Sequence, residues 1–271
     1  MSEILGRRLF YASASGSLSN VSSLLRDHPE IDVNWTNTDH YSSLHTASIR
    51  GHVEVVKLLL AHPATNVNVQ DPGGETPISL GCENGHVVVV QLLLKDPRVD
   101  VTLADKYGFT PLWNASWGGH HEVIEWLIAS GRDLGDIENK KGKPWAGGKD
   151  YTALEIARER NKTEAVSVLE RFLANPTQTR HEVRVKLGVL DALAAEVFAL
   201  TVFLCDNFLQ HKPALNSAAF RFFTIAKRMP MELQMILCHR AVGSMKQNIL
   251  LKDSEPAFRS LALIFSSAKF E

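Results

Sequence analysis

Cysteine is scarce in this chain. There are three in 271 residues, Cys82, Cys205 and Cys238, an odd number with no motif spacing. Such usage points to a reducing compartment and to thiols that serve as small buried groups. Charge of one sign is also lacking. The formal net charge is −1, so no basic field gathers nucleic acid. The part before Pro176 sums to about −5 and the part after it to about +4, an asymmetry better suited to holding two parts together than to binding DNA. Long apolar runs are missing as well. The most hydrophobic stretch, 189–209, is interrupted by Asp191, Glu196 and Asp206, and so reads as a buried helix and not a membrane span. The opening MSEILGRRLF has no apolar run of signal-peptide length, which makes the N-x-S/T triplets at Asn20, Asn114 and Asn161 chance matches. A cytoplasmic or nuclear protein without membrane association is expected.

Catalytic and cofactor signatures are equally sparse. Gly142 and Gly147 have phosphate-loop spacing, but Gly148 stands where lysine belongs and Lys149 is followed by Asp150. No buried strand leads in and no apolar helix leads out, so the strand–loop–helix geometry that cradles phosphate is not encoded. His120-His121-Glu122 lacks the spacing of a zinc helix, and no serine or cysteine is placed predictably beside a base. Neither an enzyme, a cofactor nor a metal site is expected.

What the chain does have is a period. GHVEVVKLLL begins at Gly51, GHVVVVQLLL at Gly85 and GHHEVIEWLI at Gly119, 34 residues apart each time. Asn37, Asp71, Asp105 and Asn139 repeat at the same interval, and TPI at Thr76 matches TPL at Thr110. Threonine is suited to cap a helix, and proline at the first helical position loses no needed N–H. Glycine ends the first helix where a positive φ is needed. Val53, Val56, Leu59 and Leu60 form an apolar stripe on the second helix. Pro29, Pro63 and Pro97 stop the second helix in three copies. No single unit can bury its apolar face alone, so the units must stack.

These features together resemble the ankyrin repeat, over roughly residues 3–174 and about five copies. Ser42-Ser43-Leu44-His45 takes the TPLH slot in one copy. A degenerate first copy centres on Gly16, and the fifth has Asn161 where glycine is expected. From Gly119 to Asn161 is 42 residues, and the eight extra fall in an enlarged finger at 140–151 that contains Trp145. The resemblance implies an all-α solenoid with β-hairpin fingers, structural histidines in the repeat slots, and protein binding at finger tips and the concave face of the first helices. Carried over position by position, the partner-binding candidates are Tyr41, Arg50, Glu75, Glu83, Asn84, Lys106, Tyr107, Phe109, Trp117, Trp145, Tyr151 and Arg160. Their aromatic members would form an exposed ridge. Trp113, in the TPLH slot, and Trp126 are assigned to the core. A monomer that binds an unidentified protein partner is expected.

Past Pro176 the period stops. About five helices are expected over 175–271, forming a small α-helical domain. One begins at MPMELQMILCHR, residues 229–240. It resembles the start of an F-box, a resemblance carried by Pro230, Leu233, Ile236 and Leu237, and F-box-like elements also follow ankyrin repeats in poxvirus PRANC proteins. That resemblance implies docking to a cullin-ligase adaptor. The later F-box pattern is missing, and an amphipathic helix in a tail bundle explains the same residues.

Overall fold

The structure, a computed structural model, describes residues 2–144, 148–205, 231–243, 246, 249 and 253–259. Two compact units make up the chain, Met1–Arg180 and His181–Glu271.

The first unit is built from five helix pairs. They are α1 (Ser2–Ala14) with α2 (Leu18–Asp27), α3 (Ser43–Arg50) with α4 (Val53–Ala61), and α5 (Pro77–Glu83) with α6 (Val87–Lys95). Then follow α7 (Pro111–Gly118) with α8 (His121–Ser130), and α9 (Ala153–Glu159) with α10 (Thr163–Ala174). The odd-numbered helices pack in one row and the even-numbered in another, so the unit is an all-α two-layer solenoid. One continuous core runs from Leu5 to Phe172.

Local chemistry explains the pairs. The hydroxyls of Thr76 and Thr110 accept from the N–H groups of Ser79 and Trp113 and open α5 and α7, each with proline in its first turn. Ser42 with His45, and Thr152 with Glu155, form reciprocal capping boxes. The turn to the second helix needs a left-handed residue. Gly85 supplies it at φ 70°, and Asn161 does so in the last pair at φ 55°. On α4 the buried residues are Val55, Val56 and Leu59, while Val53 and Leu60 are half-buried against the core. The stripe is therefore wider than its sequence periodicity indicates, because α4 is flanked by α2 and α6 as well as covered by α3.

The finger loops differ from the expected β-hairpins. Among the described residues the first and last close through isolated antiparallel bridges, Thr36–Ser42 and Gly142–Tyr151, the two between them through single backbone bonds, Asp71 N–H to Glu75 and Asp105 N–H to Phe109, and no sheet forms. Side chains do the work of strands there: Asn37 Oδ1 accepts from the N–H of Tyr41, Asp71 Oδ1 from Glu75 and Asp105 Oδ1 from Tyr107 and Phe109, each within 2.8 Å. Asn139 departs from this register and binds back to Asp136, 3.0 Å away. The eight extra residues let this loop close at Gly142 and Tyr151 instead.

Helix α11 (Pro176–Lys186) follows, with Asn175 Oδ1 accepting from the Gln178 N–H at its start. In the second unit, α12 (Val189–Cys205) packs on α13 (Met231–Ala241), and residues 253–259 are helical. Ala195, Ala199 and Ala257 form a small core, and Phe198 meets Phe258 edge to face at 6.1 Å. Asp191 pairs with Lys246. Of the region expected to hold about five helices, residues 206–230 lie outside the described residues.

Candidate functional site

Side-chain bonds across the pairs hold the inner, odd-numbered row and its loops in register. His52, His86 and His120 each present Nε2 to a carbonyl of the preceding pair, Ala14, Ile49 and Glu83, at 3.1, 2.8 and 2.9 Å. His45 Nδ1 accepts from the Ser42 N–H, which leaves Nε2–H to donate to the Glu75 carbonyl at 3.1 Å. Burial holds the His45 ring below its ordinary pKa, consistent with a neutral structural group. Trp113 occupies the same slot two pairs later, and its Nε1–H donates to the Tyr151 carbonyl at 2.9 Å. Successive loops are joined by backbone bonds, Lys106 N–H to the Gly73 carbonyl and Lys143 N–H to Tyr107.

This frame creates a run of rings along the inner row. Tyr107 and Phe109 lie 5.7 Å apart, Phe109 stacks on Trp113 at 3.8 Å, and Trp113 stacks on Trp117 at 5.5 Å. The Arg160 guanidinium sits 3.9 Å over the Trp117 ring. Tyr107 is 63% exposed at one end, whereas Trp113 is 3% exposed. Beside the run opens a pocket of about 290 Å³, also lined by the acids Glu75, Glu83 and Asp105.

Those carboxyls ionise reluctantly. Burial, then the nearby charges of Glu83, Asp71 and Asp105, push Glu75 up to about 7. Glu83 is raised by burial and by Asp105. Asp105 is raised by burial even though it accepts from the Phe109, Tyr107 and Gly108 N–H groups. The Tyr41 phenol in the preceding loop is raised too, by burial and then by Glu75.

The structure brings together Glu75, Glu83, Tyr107, Phe109 and Trp117 around this pocket, with Arg160 stacked behind. Lys106 is exposed on the same loop as Tyr107. Asn84 is exposed at the end of α5, its amide donating to the Leu80 carbonyl at 2.9 Å. Tyr41 is half-buried edge-on to His45, and Arg50 is exposed at the end of α3. Tyr151 is half-buried in the Gly142 bridge, with the Lys149 ammonium 5.4 Å from its ring centre. Trp145 lies outside the described residues. The expected ridge is in part a stacked column: Phe109 and Trp117 are half-buried by their neighbours, and Tyr107 projects most. Trp126 is half-buried against the core. Asp105, Asn114 and Pro144 also line the pocket without having been singled out as binding residues. Asp105 was visible only as a turn residue, because its place in the 34-residue period already accounted for it.

In the second unit, Leu233 is 44% exposed, Ile236 and Leu237 are half-buried, and Cys238 and His239 are buried. Pro230 lies outside the described residues. Among the described residues no helix is long and apolar enough to cross a membrane, and no set of three His, Cys, Asp or Glu side chains could hold a metal ion.

Comparison with curated proteins finds no match. A family profile described as ankyrin repeats (3 copies) matches residues 9–105 and 63–141. Across this segment the pairing of helices, the capped starts and the left-handed turns are those the period encodes, and residues 9–141 of the chain belong to the ankyrin-repeat family.

Proposed function

We propose that the chain is a non-enzymatic scaffold that binds another protein through the inner helices and finger loops of its ankyrin array. Ankyrin repeats are in general protein-interaction modules. The observation that carries the reading here is the pocket lined by α5, α7 and three finger loops, where the exposed Tyr107 and stacked rings meet three acidic side chains. Such a surface is costly to leave in water and gains when a partner covers it. A photo-crosslinking residue at Tyr107 should trap a protein in cells. The same residue at Lys57, on the even-numbered row, should not. Equal trapping at both sites would refute the assignment of the binding face.

A second reading concerns α13. Leu233 and Met231 are exposed apolar side chains on one helix, as an adaptor-docking element would require. On this reading the array selects a protein and α13 hands it to a cullin-ligase adaptor. Leu233→Asp should then abolish adaptor capture without lowering the melting temperature. A variant that melts early and never captured adaptor would assign Leu233 to packing.

A further inference from the structure

We infer that the pocket beside the aromatic run receives a lysine or arginine side chain from an extended segment of the partner protein. The inference rests on the scaffold reading and adds the chemistry of the occupant.

The pocket's size comes first. About 290 Å³ is at the lower limit of small-molecule sites and suits a single long side chain better than a cofactor. Its chemistry is divided. Tyr107, Phe109 and Trp117 bring apolar ring surface to the lining. The same lining carries Glu75, Glu83 and Asp105, from three separate segments of the chain. Lysine and arginine match this division, with an apolar stem for the rings and a cationic head for the carboxylates.

The carboxylates have no counter-cation in the described structure. The groups acting on Glu75 and Glu83 are burial and other acids, and the only favourable contacts to Asp105 are backbone N–H groups. Alternatives fit less well. An anion meets three like charges. An apolar side chain would strip the carboxyls of water and give nothing back. A metal ion needs ligands that converge, and no such set exists among the described residues. The run itself already accepts a guanidinium at its far end, where Arg160 covers Trp117.

Proton linkage supplies an independent readout. Glu75 is faced by Asp71 in its own loop, Glu83 on α5, Asp105 in the next loop and the Tyr41 phenol in the preceding one, while the His45 ring holds its backbone carbonyl. A cationic head favours the ionised carboxylate. Binding below about pH 7 therefore releases a proton, and affinity climbs as the pH rises through that value.

The test uses the full chain and a displayed library of random dodecapeptides. Wild type is compared with Glu75→Gln/Glu83→Gln and with Tyr107→Ala, each first shown to melt no earlier than wild type. Peptides lost from Tyr107→Ala are bound at this face. Their enriched position should be lysine or arginine, and norleucine or citrulline there should weaken binding about tenfold. The double glutamine variant should lose a similar factor, and wild-type affinity should rise up to about tenfold between about pH 6 and pH 8. Peptides that need Tyr107 yet tolerate the neutral replacement would overturn the cation pocket and leave the scaffold reading standing. A library with no peptide sensitive to Tyr107 would overturn both.

Discussion

Replacing Glu75 by glutamine should make the free protein more stable, and only at neutral and alkaline pH. The carboxyl ionises near 4.5 in an unfolded chain and near 7 in the folded one. Between those values the folded state holds a proton that the unfolded state has released, so stability falls as pH rises from about 4.5 to 7 and is level above. At about 1.4 kcal/mol per pH unit the gap corresponds to about 3 kcal/mol. The side chain is partly open to water, so screening reduces this to about 1–2 kcal/mol. Glutamine keeps the shape and cannot ionise. Urea unfolding followed by tryptophan fluorescence should place the variant's midpoint above that of wild type at about pH 8, and the two should coincide at about pH 4. A variant that is less stable at pH 8, or shifted equally at both values, would refute the claim that desolvation and neighbouring acids strain this site. The strain is relieved when a cation arrives, so the same residue would cost stability in the free protein and contribute affinity in the complex.

Other outcomes follow from the same geometry. Gly85→Ala combines a left-handed backbone at φ 70° with a Cβ placed 2.5 Å from the His120 ring, and should lower stability by about 2–3 kcal/mol in urea titrations. Asn161→Gly, at the matching turn with φ 55°, should be neutral or slightly stabilising in the same assay. Arg132→Met removes guanidinium bonds of 2.6–2.9 Å to the Val99, Leu94 and Asp96 carbonyls, and should cost about 2 kcal/mol, with faster amide exchange around those residues. Trp113→Phe leaves a ring to face Phe109 but removes the bond to the Tyr151 carbonyl; it should cost about 1 kcal/mol and loosen the enlarged finger to proteolysis. The Cys82 thiol is fully buried and burial raises its pKa, so it should resist alkylation until urea unfolds the array.

The repeat architecture was legible in the sequence because each 34-residue unit carries its own instructions. Thr76 and Thr110 start helices, Gly51, Gly85 and Gly119 turn the chain, and the apolar stripe of the second helix needs only a like neighbour to bury it. Those are short-range effects, and one copy is enough to read them. The same logic placed Glu75, Glu83, Tyr107, Phe109 and Trp117 on the inner side as separate candidates. It misjudged the fingers, where Asn37, Asp71 and Asp105 satisfy the loop without strands, and it held Asn139 to a register that eight extra residues release. In the second unit, the sequence indicated a helix beginning within 229–240 but not which side would be covered; in the helix observed at Met231–Ala241, packing buried Cys238 and His239 and left Leu233 exposed. Desolvation likewise belongs to the assembled array. Asp71 and Asp105 have the same turn role, yet Asp105 joins the pocket because the next loop stacks its acid beside Glu75 and Glu83. Caps and turns depend on a few neighbouring residues, and the sequence by itself determined them. Loss of water and the approach of Asp105 to Glu75 and Glu83 depend on separate segments of the chain, and only the tertiary structure decided those.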